Sequence, residues 1–174
     1  MKTPRNVKRS FFAALEALFE DSSTFGRAFN IYYESDLRDG TVPTKPYLYL
    51  LDANVKFEAK QLPTIAAWFR FAYRGFQMGG PAFWHGDVSC EVYGVNRGDR
   101  EDLAAAIAEG IGDSFTIDDY SGGSPVAWGT ASMYENAAGE YWTLDFESVA
   151  DELSVEGTLL NWVSVSSQFW CKPD

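Results

Sequence analysis

The feature of the sequence that most constrains the fold is a strict two-residue alternation that follows Leu62-Pro63. Successive side chains of a β-strand point to opposite faces, so this pattern predicts a strand with one buried, apolar face. That face comprises Ile65, Ala67, Phe69, Phe71 and Tyr73, and the other face comprises Ala66, Trp68, Arg70 and Arg74. Further strand patterns occupy residues 27–33, 47–60, 88–95, 114–120, 141–149 and 152–171. The chain is therefore expected to build mainly on a sheet.

Helical periodicity marks two other segments. Pro4 suits the first turn of a helix that ends near Asp21. Its apolar stripe comprises Val7, Phe11, Ala14, Leu15, Leu18 and Phe19. The second helix is predicted at about residues 99–111, with an apolar stripe spaced by four residues. That stripe comprises Leu103, Ile107 and Ile111.

The start of the second helix contains Arg97-Gly98-Asp99, a tripeptide that many adhesion ligands use. Asp99 is predicted as the N-cap, because a short carboxylate there accepts hydrogen bonds from the first free backbone amides. Asp99 and Asp102, three residues apart, resemble the pair of residues that forms a capping box. The tripeptide is thus explained by the end of a strand and the start of a helix, and not by adhesion.

These patterns predict an α+β fold, with a mainly antiparallel twisted sheet flanked by the N-terminal helix and the second amphipathic helix. A length of 174 residues suits one domain, residues 1–174. Two irregular stretches, near residues 34–46 and 121–140, are rich in Gly, Pro and polar residues and are interpreted as loop insertions.

Few residues offer catalytic chemistry. His85 is the only histidine, so a triad that uses a second histidine is excluded, and no metal-ligand spacing is present. Cys90 and Cys171 form no framework and are expected to be reduced and structural. Asp118 and Asp119 are adjacent in a predicted strand and should point to opposite faces. The sequence therefore predicts no enzyme, no cofactor and no metal site, although a hydrolase with an unrecognised carboxylate pair stays open as an alternative.

The formal net charge of -11 argues against binding nucleic acid through phosphate contacts, which need clustered Lys and Arg. No stretch has the length and apolar character of a membrane span, and the N-terminus does not resemble a secretion signal. The protein is therefore expected to be made in a cytoplasm and to have no membrane partner.

The order of the elements carries a resemblance. An opening helix is followed by "LPTIAAWFRFAY", by "WHGDVSCEVYGVN", by a helix that begins "DREDLAAAIAEGI" and by a closing strand "EGTLLNWVSVSSQFW". This order resembles the lambda-type tail terminator proteins, the tail completion or neck proteins of long-tailed bacteriophages. The resemblance covers the first helix, residues 62–111 and the last strand. Residues 29–60 and 120–149 are longer than a minimal family member needs.

The resemblance implies a structural virion protein, assembled in the host cytoplasm, that forms a ring, typically a hexamer, at the head-proximal end of the tail. Such a ring stops growth of the tail tube, contacts the tail tube protein and the head-tail connector or stopper protein, and lets DNA pass without specific binding. Acidic residues facing the lumen would suit that passage. The candidate interface residues lie in the two insertions and are Asp36, Leu37, Arg38, Asp39, Trp128 and Tyr134.

The alternative is another phage neck, tail or decoration protein that acts as a protein- or carbohydrate-binding module. Aromatic residues make up 16% of the chain, and they serve either the core or a carbohydrate groove or subunit interface. Tryptophan side chains exposed in the isolated subunit would favour the binding module.

Overall fold

The computed structural model describes residues 4–55, 61–74, 83–146 and 162–172. This part of the chain forms an α+β fold with four helices and eight strands. The helices are α1 (Pro4–Glu20), α2 (Ser22–Phe25), α3 (Glu34–Arg38) and α4 (Arg97–Ile111). The strands are β1 (Asn30–Tyr32), β2 (Tyr47–Asp52), β3 (Thr64–Arg74), β4 (Phe83–Tyr93), β5 (Ser114–Asp119), β6 (Val126–Met133), β7 (Thr143–Asp145) and β8 (Trp162–Lys172).

All eight strands join one curled, mixed sheet. The strand order is β1-β2-β3-β4-β8-β6-β5, and the short β7 pairs with β8 beside β6. The β1-β2 and β2-β3 pairs are parallel, and the other five pairs are antiparallel. This confirms the predicted α+β class and its mainly antiparallel sheet. β3 and β4 form the longest ladder, in which all eleven residues of each strand are paired without a bulge.

One face of the sheet, called the inner face below, packs against α1 and α4. Phe11 of α1 lies at its centre, with ring centroids 5.4 Å from both Phe69 of β3 and Phe115 of β5. The alternation in β3 and β4 supplies this face, with Phe69 and Phe71 half-buried, whereas Tyr73, which was predicted on the same buried face, is 58% exposed. The predicted apolar positions that are fully buried here are Ile65, Ala67, Val88, Cys90, Val92, Val163 and Val165.

The N-terminal helix is confirmed with the predicted stripe, since Val7, Phe11, Leu15 and Phe19 are buried. The start of the second helix is two residues earlier than predicted, and the prediction that Asp99 is its N-cap is wrong. Asn96 is the N-cap: its Oδ1 accepts a hydrogen bond of 2.9 Å from the Asp99 amide, and its Nδ2 donates to Asp99 Oδ2.

Asp102 is also not part of a capping box. The reciprocal pair consists of Asn96 and Asp99, so the two residues that cap α4 lie three positions before the predicted pair. The physical reason is that Asn and Asp are equally good N-caps, and here the first of them in the sequence takes the role. Arg97-Gly98-Asp99 therefore lies within the first turn of the helix.

The two predicted insertions are more regular than expected. Residues 34–46 contain α3, and residues 121–140 contain the whole of β6, so neither is purely a loop. Local hydrogen bonding explains α3, because the Asp36 carboxylate accepts a 2.7 Å hydrogen bond from the Tyr33 amide at the start of the helix. Strand pairing explains β6, which lies between β5 and β8 despite its glycine and alanine content.

Two other boundaries differ from the predictions. β2 ends at Asp52, and residues 56–60 of the predicted strand lie outside the described part of the chain. β4 ends at Tyr93, so Val95 follows the strand and is 70% exposed. In the closing segment only residues 162–172 are described, and Leu153, Val155, Leu159 and Leu160 lie outside that range.

Candidate functional site

The face of the sheet that points away from α1 and α4, called the outer face below, differs in chemistry from the inner face. One row of paired residues crosses it from Trp68 on β3 through Ser89 on β4 and Ser166 on β8 to Thr143 on β7. Neighbouring strands lie about 4.8 Å apart, so three steps between strands span about 14 Å. A tryptophan thus stands at one end of a row of hydroxyl side chains.

This row forms the floor of an open groove of about 480 Å³. Asp87 and Gln168, which pair with each other across β4 and β8, extend the floor on one side. The remaining lining comes from Trp68 and from the segment that joins β6 to β7, including Tyr134 and Tyr141. These three aromatic side chains are 45%, 44% and 36% exposed, respectively.

The segment between β6 and β7 is held to the floor by hydrogen bonds. The Tyr134 amide donates to the Gln168 carbonyl at 2.8 Å, and the Ser167 hydroxyl donates to the Tyr141 carbonyl. Between these anchors, Asn136 Oδ1 accepts from two amides of the same turn, at positions 138 and 140, each at 2.9 Å. Hydrogen bonds therefore hold the segment at both ends, and Asn136 stabilises the turn between them. Together these bonds position Tyr134 and Tyr141.

The electrostatics of the groove are acidic. Asp87 Oδ2 lies 3.1 Å from Arg70 Nε, with which it forms an ion pair. Glu140 Oε2 accepts a hydrogen bond of 3.0 Å from Asn136 Nδ2. Glu135 is a third carboxylate in the lining, and the described lining residues include no Lys or Arg. Arg70 is 73% exposed, so its ion pair with Asp87 is well solvated and weak.

Beside this groove, β3 presents an open edge. β2 pairs with β3 only as far as Ala67, and within the described part of the chain residues 68–73 pair with β4 alone. The Ala67 carbonyl accepts from the Ala53 amide on the side away from β4. Because backbone groups of alternate residues in a strand point to the same side, those of Phe69, Phe71 and Tyr73 face this edge. Tyr73 is 58% exposed.

The predicted interface residues do not form one surface. Asp36, Leu37 and Arg38 lie in α3, which packs on β2, and Asp39 is its C-cap. Trp128 lies in β6, half-buried against the core, and Tyr134 follows that strand. In the sheet order β3, β4 and β8 lie between the two groups, so the two insertions are on opposite sides of the long hairpin.

The predicted interface residues also differ in whether their side chains are available to contact a partner. The Asp36 carboxylate is engaged in the cap of its own helix, and Leu37 is half-buried. Tyr134 is the one predicted interface residue that lines the groove. Its ring centroid lies 6.4 Å from that of Trp170 on β8.

The other residues singled out in the sequence have structural contacts. Cys90 and Cys171 are buried and form no disulfide, and burial raises the pKa of Cys90 to about 12, so its thiol stays protonated. His85 is in β4, with its ring 5.9 Å from that of Phe83. Within the described residues no group of three or more His, Cys, Asp or Glu side chains is arranged to hold a metal ion. No helix in the same part of the chain is long and apolar enough to span a membrane.

Asp118 and Asp119 are held by the N-terminal helix. The Asp118 amide donates to Ser10 Oγ at 2.8 Å, and Asp119 Oδ1 accepts from Asn6 Nδ2 at 3.2 Å. Hydrogen bonds from the backbone and side chain of Ser121 hold the pKa of Asp119 below its ordinary value. The strand pairing shifts between Ile117 and Asp118, so this end of β5 is irregular.

Trp68, Tyr73 and Tyr141 were missed as site residues. A signal for Trp68 was present, because a tryptophan on the non-core face of an alternating strand is unlikely to be needed for packing. Nothing in the sequence reveals that β2 ends before β3 does, which is what leaves Tyr73 at an open edge. The approach of Tyr141 to Trp68 depends on β8 lying between β4 and β7, which is a property of the topology.

Comparison with known proteins gives no family. A scan against protein-family models finds no match to this sequence, and a search of curated proteins also finds no match.

Proposed function

We propose that this protein is a structural subunit that assembles with copies of itself through the open edge of β3. The observation that carries this proposal is the edge of β3 at residues 68–73, where the outward backbone groups of Phe69, Phe71 and Tyr73 have no partner strand among the described residues. Exposed sheet edges are pairing sites for other chains unless they are short, charged or covered. This edge is six residues long, no described segment of the chain pairs with it on the side away from β4, and its aromatic residue Tyr73 is 58% exposed.

A ring needs a second, different surface on each subunit, because head-to-tail contacts join unlike patches. The end of the sheet formed by β5 and β6 suits this role. Val126, at the start of β6, is 64% exposed and pairs with Asp119. The carboxylates of Asp118 and Asp119 complement Arg70, which lies near the open edge of β3. Trp128 continues this surface along β6.

The specific proposal is a phage tail terminator or neck protein, a ring of about six copies on the head-proximal end of the tail tube. The pairing of a Pro-led β3 with β4, and the packing of α4 on the same sheet, support the resemblance on which this rests. The partners are then the tail tube protein and the head connector or stopper protein. The net charge of -11 supports passage of DNA without binding, because it offers few contacts to phosphate.

Electron microscopy of the purified protein tests this function, alone and mixed with tail tubes. We expect closed rings, and caps at one end of each tube. The matched control is a variant with the substitution Tyr73→Pro, which blocks the edge and should give neither rings nor caps. A wild-type protein that stays monomeric at high concentration and ignores tube ends would contradict the proposal.

A further inference from the structure

The groove on the outer face has features that self-assembly through the edge of β3 does not use. It is open, has a volume of about 480 Å³ and crosses β4 and β8 at the level of Trp68. Ligand pockets in proteins have volumes of roughly 300 to 1,000 Å³. The row from Trp68 to Thr143 spans about 14 Å, which accommodates an extended ligand across the strands.

The aromatic side chains of the groove offer apolar faces to a ligand. Trp68, Tyr134 and Tyr141 all line it. Each is only partly buried, whereas aromatic rings of the inner face such as Phe11 are fully buried. Flat rings that carry a polar group at one edge suit ligands with both C–H faces and hydroxyl groups.

The floor between the rings is made of groups that donate and accept hydrogen bonds. The Ser89 and Ser166 hydroxyls and the Gln168 amide each combine both functions, and Asp87 adds a carboxylate acceptor. Their backbones are fixed in the β4-β8 ladder, in which Ser89 pairs with Ser166 and Asp87 with Gln168. Such a floor matches a ligand whose hydroxyl groups both donate and accept.

The rings and the floor are positioned before any ligand binds. The Ser167 hydroxyl and the Tyr134 amide tie the segment 134–141 to β8, and Asn136 closes the turn within it. Gly139, with a φ of 83°, takes the left-handed conformation that this turn requires. Rigid sites of this kind avoid the cost of ordering loops on binding.

The charge of the groove selects among ligands. Asp87, Glu135 and Glu140 line it, and among the described lining residues there is no Lys or Arg to neutralise an anion. Anionic sugars and phosphorylated ligands are therefore repelled.

We propose that this groove binds a neutral glycan of about two or three pyranose units, with sugar faces on Trp68 and Tyr141 and hydroxyl groups on Ser89, Ser166, Gln168 and Asp87. The inference is independent of self-assembly, because the groove uses side chains of the outer face, whereas the proposed contact uses the outward backbone groups of Phe69, Phe71 and Tyr73.

The test is titration of the full-length protein with a panel of neutral oligosaccharides of glucose, galactose and N-acetylhexosamine, by calorimetry and by saturation-transfer NMR. Sialylated and phosphorylated oligosaccharides form the anionic arm, and a lysine-rich peptide forms the cationic arm. We expect at least one neutral oligosaccharide to bind with a Kd below about 10 mM, and the anionic arm not to bind.

Two variants locate the site. Trp68→Ala should weaken binding by about tenfold or more, since it removes a stacking face. Gln168→Ala, at an exposed position in the middle of a strand, should weaken binding by about threefold to tenfold without affecting the fold. Tyr73→Ala is the matched control, because it removes an exposed aromatic ring outside the groove, and it should leave glycan binding unchanged.

Three outcomes would overturn the proposal: no binding across the neutral panel, binding that survives both Trp68→Ala and Gln168→Ala, or binding of the lysine-rich peptide alone. Failure of glycan binding with intact rings would reject this inference and leave the assembly proposal standing. Glycan binding by a protein that never forms rings would support this inference and reject the assembly proposal.

Discussion

The inner and outer faces of the sheet are built from the same strands but have different tasks. On the inner face, Phe69 of β3 packs edge-on against Phe11 of α1 in a core that excludes solvent. On the outer face, its neighbour Trp68 is 45% exposed over a floor of serine and glutamine side chains. Neighbouring residues of one strand therefore have different roles: Phe69 stabilises the core, and Trp68 is available to bind a ligand.

The largest effect is expected from truncating the centre of the inner face. Phe11→Ala removes a fully buried ring that packs against four other aromatic rings and should lower the free energy of unfolding by about 3 to 5 kcal/mol. Trp68→Ala on the outer face should cost about 1 kcal/mol or less, since much of the ring is already in water. Urea unfolding followed by circular dichroism measures both. Equal losses would contradict the division between the faces.

The next effect is expected where β3 and β4 come closest. A Cβ atom at Gly86 would lie in collision with the Arg70 carbonyl, so Gly86→Ala must push the two backbones apart. We expect a loss of about 1 to 3 kcal/mol in the free energy of unfolding, as for other overpacked sites. Gly122→Ala is the matched control, because nothing lies within 4 Å of its Cβ position. If both variants unfold at the same urea concentration, the close pairing of the hairpin is wrong.

A smaller effect is expected at the start of α4, a helix that covers the inner face. Asn96→Ala removes the side chain that accepts from the Asp99 amide and should cost about 1 kcal/mol. Asp102→Ala, at the position predicted from sequence to complete a capping box, should have little effect. Thermal unfolding of the two variants decides between the observed and the predicted cap. A larger loss for Asp102→Ala would favour the predicted one.

The smallest effect concerns pH and the ion pair that joins α1 to β2. Lys8 Nζ lies 2.6 Å from Asp52 Oδ2. Burial alone would raise the pKa of Asp52, but hydrogen bonds from Lys8 and Asn54 outweigh it and hold the pKa below its ordinary value of 3.8. A lowered pKa in the folded state stabilises the protein above the unfolded value, and this contribution is lost as the pH falls below 3.8.

The matching experiment compares the wild type with Asp52→Asn between pH 3 and 7. Both partners are about one third exposed, so solvent screening limits the difference in free energy of unfolding to about 0.5 to 1 kcal/mol near neutrality. The difference should shrink as the pH falls below 3.8. A difference that grows in acid would contradict the assigned direction of the pKa shift.

Much of the inner face could be predicted from the sequence. The period of two in β3 and the period of about four in α1 are local signals, and both follow from which side chains must leave water. The caps of α4 were misplaced by three residues, because Asn96 and Asp99 have the same chemistry and only the geometry of the turn distinguishes them. The strand β6 was missed, because Gly129 and Ala131 have low β-propensity and pairing with β5 and β8 overrides it.

The candidate sites could not be predicted from the sequence to the same extent. The groove requires that β8, at the end of the chain, lie between β4 and β7, and the open edge of β3 requires that β2 end at Asp52. Both are outcomes of long-range pairing, for which the local pattern gives no signal. Composition alone indicated an excess of aromatic residues, without locating Trp68 and Tyr141 in one groove.

The most direct test of assembly through the β3 edge is sedimentation velocity of three proteins: the wild type, Tyr73→Pro and Tyr73→Thr. Proline removes the outward backbone donor at position 73 without removing a hydrogen bond to β4, whereas threonine keeps that donor and removes only the ring. We predict an oligomer of about six copies for the wild type, a weakened oligomer for Tyr73→Thr and a folded monomer for Tyr73→Pro. A wild-type monomer, or a Tyr73→Pro protein that still forms the full oligomer, would contradict assembly through this edge.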